Sequence, residues 1–391
     1  MWRNLASNVL TLLIVALVFG AGALGYAQRQ YSTDGPLVEA ICLQVAPGSN
    51  MSRVADDLEA QGAVTSAMLY RLGAQYSDRS HLLKAGSFLI DEGTSMQEIV
   101  AQVTGDGLST CGTEVIYRVS VSGQSVRVRE LNPVSQAFEE TANFNPRDEV
   151  LPDPYVKARD DVATRYRIVV AEGVTSWQIV DALMASDVFE GEVAAVPAEG
   201  TLAPDGYEFR PGADRAAFLA QMEAAQAVRL AEAWESRGSD LQIETPEEAM
   251  ILASIIEKET SIAEEREIVS SVLHNRLDIG WRLQFDPTII YGITRGVGTL
   301  GRPISNADIS GRTEERRHGT IEYNTYQIDG LPAGPIGNPG EASIIAALNP
   351  AESPFRFFVA TGDGGHAFAV TLDEHNANVA RLRAIEAERA N

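Results

Sequence analysis

Two carboxylates and a lysine close an apolar run in the stretch ILASIIEKET, residues 251–260. A carboxyl group aimed into apolar surroundings resists ionising, so it keeps its proton near neutral pH, as a general acid must. The helix that would position it is legible. Thr245 can serve as N-cap, Pro246 takes the first helical position and Glu248 completes a capping box. On a helical wheel the neighbours of Glu259 are Leu252, Ile255, Ile256, Ile262 and Ala263. Glu257 instead shares its side with Met250, Ala253, Ser254, Thr260 and Ser261, a mixed face. Glu259 is therefore the candidate acid, and the alternative is a partly buried glutamate paired with an arginine.

Polar and aromatic residues gather downstream in three short stretches. RLQFDPTIIYGI (282–293) brings Gln284, Asp286 and Tyr291 around a proline-directed turn. EYNTYQIDGLPAGPIGNPG (322–340) brings Tyr323, Asn324, Thr325 and Tyr326, then loop glycines and prolines. GDGGHAFAVTLDEHN (362–376) adds His366, Phe368, His375 and Asn376. Aromatic faces, amides and hydroxyls are what a sugar chain needs, for ring stacking and for hydrogen bonds to its hydroxyls. Each stretch alone reads equally well as a turn or loop cap. Asp286 in particular is either a second carboxylate of the reaction or a group capping backbone N–H groups after Phe285.

The elements around these stretches follow from composition and pattern. A chain of 391 residues, 45% apolar, is long enough for two or three domains with cores of their own. Its net charge of −23 argues against a nucleic-acid role. From Leu5 to Ala27 no residue is charged, enough to span a bilayer as a helix, with Arg3 before and Arg29 after. A cleaved signal peptide ending near LGYAQ is the rival; the length of the apolar run favours an uncleaved anchor, with the bulk of the chain outside the cytoplasm. The two cysteines, Cys42 and Cys111, could pair there. Five scattered histidines, with no CxxC or HExxH, leave no metal site and call for no cofactor.

Three stretches share one pattern, VAPGSNMSRVADDL (45–58), IDEGTSMQEIVAQV (90–103) and VAEGVTSWQIVDAL (170–183): a strand end, a glycine turn, then a capped helix. This is either a true repeat or a common motif used three times. The first two would fold as a small α+β module at 38–105. Beyond it, YRVSVSGQSVRVREL signals a hairpin, and the Pro-, Asn- and charge-rich stretch that follows reads as an exposed insertion or linker, giving 106–164 that character. A larger domain occupies 165–391.

ASIIEKET, NRLDIGWRLQFDPTIIYG, YNTYQIDGLPAGPIGNPG and GGHAFAVTLDEHN together resemble, in order and spacing, the signatures of the MltG/YceG-like endolytic murein transglycosylases. The resemblance covers roughly residues 165–385. It implies an α+β fold with an N-terminal transmembrane helix (1–30), a LysM-like module (38–105) and a mixed α/β catalytic domain carrying the acid on a helix. It places the catalytic acid on Glu259, the second glutamate of EKET, and matches Gln284, Asp286, Tyr323, Asn324, Thr325 and His366 to positions lining the family's cleft. The implied activity is cleavage inside peptidoglycan glycan strands to 1,6-anhydromuramic ends, limiting nascent strand length at the inner membrane beside a cell-wall synthase complex, with the bulk of the chain periplasmic. A lysozyme-type hydrolase and a catalytically silent glycan-binding scaffold are the alternatives. The chain departs from the family pattern in the length of 106–164, in the long basic stretch 295–322, and in its two cysteines.

Overall fold

Apolar residues decide the first element. In the computed structural model, which describes residues 2–105, 110–161, 163–311 and 321–389, helix α1 (Trp2–Ser32) contains Thr11–Ser32, long and apolar enough to cross a membrane. Leu12, Leu17, Val18, Phe19 and Leu24 on it are exposed rather than packed on protein. The helix runs past the uncharged stretch 5–27, through Arg29 to Ser32. At that end Tyr31 packs against the core of the following module, so close to Gly73 that a Cβ there would collide with its ring.

Residues 1–116, 126–144 and 148–166 form one compact unit; 117–125, 145–147 and 167–391 form a second. In the first, β1 (Ile41–Val45) pairs antiparallel with β2 (Gly86–Ile90), Leu43 opposite Phe88. Helices α2 (Met51–Ala60), α3 (Ala67–Tyr76) and α4 (Met96–Val103) complete this module. Leu43, Val54, Leu58, Tyr70, Phe88, Ile90, Ile99 and Val103 form its core. A disulfide joins Cys42 to Cys111, with the Cα atoms 5.9 Å apart.

The strands β3 (Thr113–Ser120) and β4 (Gly123–Asn132) contribute residues to both units. Within the first unit β4 pairs antiparallel with β5 (Ala137–Phe144), and helix α5 (Asp153–Asp160) follows. The stretch that reads as an exposed linker is thus partly ordered, since Phe144 packs edge-on against the buried Tyr155 of α5; before it, on the hairpin strands, Arg129 pairs with the buried Glu114 at 2.6 Å.

The longest segment of the second unit, 167–391, starts within β6 (Arg165–Val170) and continues into α6 (Ser176–Ala185). All three recurrent stretches fold alike: a strand end, a glycine at positive φ (Gly48, Gly93, Gly173) and a capped helix, the caps being Asn50, Ser95 and Thr175. Short strands β7 (Phe189–Glu190) and β9 (Ala213–Asp214) pair in parallel, and β8 (Gly206–Phe209) lies beside β6. The long helix α7 (Arg215–Glu235) leads to α8 (Pro246–Glu259), α9 (Arg266–Asp278), α10 (Asp286–Thr294) and α11 (Asn306–Ser310). The basic stretch at 295–322 lies in part outside the described residues. Helix α12 (Glu341–Leu348), the antiparallel pair β10 (Phe357–Ala360) and β11 (His366–Ala369), and α13 (Leu372–Arg389) end the chain. Around α8 the core gathers Ala233 of α7, Val269 and Leu273 of α9, Leu283, Phe285, and Ile344, Ala347 and Leu348 of α12. The whole is a mixed α+β fold with an N-terminal apolar helix, and α8 is the strut of its second unit.

Candidate active site

Helix α8 forms where its local signals place it. Thr245 Oγ1 accepts from Glu248 N (3.2 Å), Glu248 Oε2 accepts from Thr245 N (3.3 Å), and Pro246 occupies the first turn. Its side facing the core, Leu252, Ala253, Ile255 and Ile256, is fully buried. The helix ends at Glu259, because Thr260 turns to extended backbone (φ −138°, ψ 134°). Ile262 and Ala263 therefore do not continue the wheel that singles out Glu259. Its upstream neighbours and what packs around the helix end determine its surroundings.

Glu259 is half-buried as a residue, but its carboxyl is pushed up to about 8 from 4.5. Burial is the largest cause, the negative charge of Asp286 adds to it, and the Arg276 guanidinium opposes both. Position acts in the same direction, since the C-terminal end of a helix disfavours a negative charge. Among the described residues no arginine forms an ion pair with Glu259, the alternative reading of this glutamate. Arg276, itself buried, donates through Nε to Arg356 O at 2.8 Å and through Nη1 to Leu283 O. It acts on Glu259 by charge alone.

Asp286 is the first residue of α10 and is exposed. Phe285, the N-cap, makes no side-chain cap, and the hydrogen bond to Asp286 comes from the Tyr326 hydroxyl at 2.7 Å. Burial and this carboxylate raise the phenol of Tyr326. Gln284 is exposed between the buried Leu283 and Phe285, and its backbone is in the left-handed region (φ +58°), uncommon for a side chain other than glycine. Its N–H donates to Thr325 O (3.1 Å).

Asn324 and Thr325 are placed differently from a sugar-facing amide and hydroxyl. Both are buried, 1% and 0% exposed. Asn324 donates to the carbonyls of Asp308 and Ile309 and accepts from Tyr326 N; Thr325 Oγ1 accepts from Phe285 N (2.9 Å) and bonds Thr288 Oγ1 (2.9 Å). They hold the backbone that carries Gln284, Asp286 and Tyr326.

At the other side of the helix end, Thr260 Oγ1 donates to Glu265 Oε2 (3.1 Å), and the same oxygen meets His366 Nδ1 at 2.6 Å while Glu265 Oε1 accepts from His366 N (2.8 Å). That bond orients the imidazole with Nδ1 toward the carboxylate. Phe368 packs with Phe355 and Phe358 at the edge of the core, ring centroids 5.6 and 5.8 Å away. Tyr291 and Tyr323 form a second aromatic pair, centroids 5.0 Å apart. The Tyr291 hydroxyl donates to Glu199 Oε2 at 3.1 Å. Burial raises Glu199 and lowers Lys258, which attract one another by charge. Glu257 accepts from Gly340 N (3.1 Å) at the start of α12, a structural task distinct from that of Glu259. A cavity of about 210 Å³ elsewhere in this unit is lined by Trp177, Gln178, Asp181, Gln124 and their neighbours, and by none of the sequence-selected residues. Among the described residues no three His, Cys, Asp or Glu side chains cluster as metal ligands would.

Sequence reasoning missed Arg276, Glu265, Lys258 and Glu199. Arg276 had a signal, because on α9 it falls on the face of Val269, Val272 and Leu273 and so is as misplaced as Glu259. Glu199 had none.

The profile of the YceG-like family matches residues 43–381. An endolytic murein transglycosylase of Bacillus subtilis (strain 168) is 23% identical over 366 residues, covering 92% of this chain and 88% of the relative. One of Streptococcus pneumoniae serotype 2 (strain D39) is 25% identical over 385 residues, covering 96% of this chain; the chain spans 65% of that relative's length. A crystal structure of a YceG-like protein from Listeria monocytogenes is similar over 87% of this chain and 98% of its own, with a TM-score of 0.46 and 23% identity. With the profile matched from the first strand nearly to the C-terminus, the chain belongs to the YceG-like family.

Proposed function

We propose that the protein is a membrane-anchored lytic transglycosylase that cuts the β-1,4 bond between N-acetylmuramic acid and N-acetylglucosamine inside peptidoglycan strands. The observation that carries this is Glu259, a carboxyl held protonated to about pH 8 at the end of α8 in a YceG-like chain. Protonated Glu259 donates to the glycosidic oxygen as it leaves muramic acid C1. The resulting carboxylate, stabilised by the Arg276 charge, takes the proton of the muramic 6-hydroxyl, whose oxygen bonds to C1. Glu259 ends protonated again, no water is consumed, and the product carries a 1,6-anhydro ring. Attack from within the same sugar gains the proximity advantage that a free water lacks.

Gln284, Asp286 and Tyr326 on the α10 side, Tyr291 and Tyr323, and His366 with Phe368 would contact the strand; Asn324 and Thr325 would act through the backbone they hold. Residues 1–30 would anchor the chain in the inner membrane, with 38–105 as a LysM-like glycan-binding module, 106–164 between it and the catalytic domain 165–391, and the bulk periplasmic. Cuts near the membrane would limit nascent strands beside a synthase complex. A reporter fused at the C-terminus should be active outside the cytoplasm and silent within it; the opposite result overturns the anchor.

The reaction is tested by digesting peptidoglycan with the full-length chain in heavy-oxygen water and weighing the fragments. Unlabelled anhydro ends are expected. The one observation favouring a hydrolase is the nearness of Asp286, whose charge acts on Glu259 as a second carboxylate would. Heavy oxygen at the new muramic C1 would establish that reaction instead.

A further inference from the structure

The proposed chemistry leaves one carboxylate unused although three segments converge on it. Glu199 Oε1 accepts from Ser176 N at the start of α6 (2.8 Å) and from Asn338 Nδ2 (3.2 Å). Its Oε2 accepts from the Tyr291 hydroxyl (3.1 Å). A carboxylate offers acceptors on both oxygens, whereas an amide offers them on one. Three converging donors are therefore satisfied best by a glutamate. Space is kept for it as well: Gly296 has φ +77°, and a Cβ there would stand 3.3 Å from Glu199 Oε2.

What this carboxylate holds is an aromatic pair. Tyr291 and Tyr323 lie 5.0 Å apart at 54°, both half-buried, and the Arg295 guanidinium stands 5.0 Å from the Tyr323 centroid. Two partly exposed rings fixed at an angle suit the apolar face of a pyranose. The platform is tied to the candidate acid on two sides. Tyr291 shares α10 with Asp286, and Lys258, attracted to Glu199, immediately precedes Glu259. An unanchored phenol would have to be ordered when sugar binds, at the expense of affinity.

We infer that Glu199 is a positioning residue for glycan binding: by accepting the Tyr291 hydroxyl it fixes the Tyr291–Tyr323 pair as the stacking platform for one N-acetylhexosamine ring of the strand. The inference rests on the proposed function for its ligand, and its test reads binding rather than bond cleavage.

Soluble glycan strands of alternating N-acetylglucosamine and N-acetylmuramic acid are titrated by calorimetry into the full-length chain carrying Glu259→Gln, which blocks turnover. Adding Tyr291→Phe, which removes only the hydroxyl, should weaken Kd about fivefold to tenfold. Glu199→Ala should do the same, and the two together should weaken binding no more than either alone, because both break one contact. Glu199→Gln, whose amide can still meet the phenol, should bind within about twofold of the parent. Binding unaffected by Tyr291→Phe, or losses that multiply in the double variant, overturns the inference. Should Glu199→Ala fail to fold, Tyr291→Phe and Glu199→Gln decide by themselves. Glycan bound with this pattern by a wild-type chain that yields no anhydro ends would sink the proposed reaction and leave the platform standing.

Discussion

Replacing Glu259 by glutamine should abolish turnover and stabilise the fold, and the stabilisation should depend on pH. In the folded protein the carboxyl keeps its proton to about pH 8, whereas in the unfolded chain it ionises near 4.5. Between those values the folded state binds the extra proton, so wild-type stability falls as pH rises through this window. Each tenfold in the proton equilibrium is about 1.4 kcal/mol, so the full interval from 4.5 to about 8 sets a ceiling of roughly 5 kcal/mol. Water reaching the half-buried residue reduces this to a few kcal/mol. Glutamine pays none of it. Paired thermal melts of the full-length proteins should coincide near pH 4 and separate progressively toward pH 9, reaching about 5–10 °C in favour of Glu259→Gln. Turnover of the variant should be down by several powers of ten throughout. A melting difference that stays constant with pH would refute the claim that this carboxyl is held neutral by the fold.

Three further outcomes follow from the contacts. Glu257→Gln should retain turnover within a few fold, since its amide oxygen can still accept from Gly340 N; a loss matching that of Glu259→Gln in the same digest would reverse the two assignments. Asn324→Ala should cost about 1–3 kcal/mol in urea unfolding, because it removes three side-chain bonds of a buried amide and leaves Tyr326 N–H without that acceptor, while Asp308 O and Ile309 O keep Gly311 N and Gln327 Nε2; an unchanged midpoint would mean these bonds are not made. Replacing both Cys42 and Cys111 by alanine should destabilise the first unit by about 4 kcal/mol, given the 69-residue separation they close; free thiols in native protein from an oxidising compartment would contradict the bond.

The legible parts of this protein were those specified locally. A capping box and an apolar stripe give α8 its start and its orientation within a dozen residues, and a charge on that stripe marks Glu259. Polar residue types say much less about direction. Asn324 and Thr325 read as sugar ligands, yet an amide and a hydroxyl bond backbone as readily as substrate, and here they are turned inward. The stretch after Asn132 reads as linker for a related reason. Strand β5 is almost wholly exposed, so it lacks the apolar alternation by which a half-buried strand is recognised. Glu199 reaches Tyr291 across 92 residues of sequence, and no periodicity links positions brought together only by tertiary packing.

The EKE triplet shows why a helix end suits this site. Successive helical residues point about 100° apart, so three neighbours in sequence serve three directions. Glu257 reaches the start of α12, Lys258 is drawn to Glu199, and Glu259 lies under the charges of Asp286 and Arg276. The first two tie the helix end to its surroundings. The electrostatic neighbours of Glu259 disagree, Asp286 favouring its protonated form and Arg276 its ionised form. A group with the proposed task of giving up a proton and then taking one back needs both influences within reach. A purely repulsive site would hold the proton too firmly to donate it, and a true ion pair with Arg276 would leave Glu259 ionised from the start. The carbonyls of Leu283 and Arg356, by accepting from Nη1 and Nε, hold that guanidinium where its charge reaches Glu259.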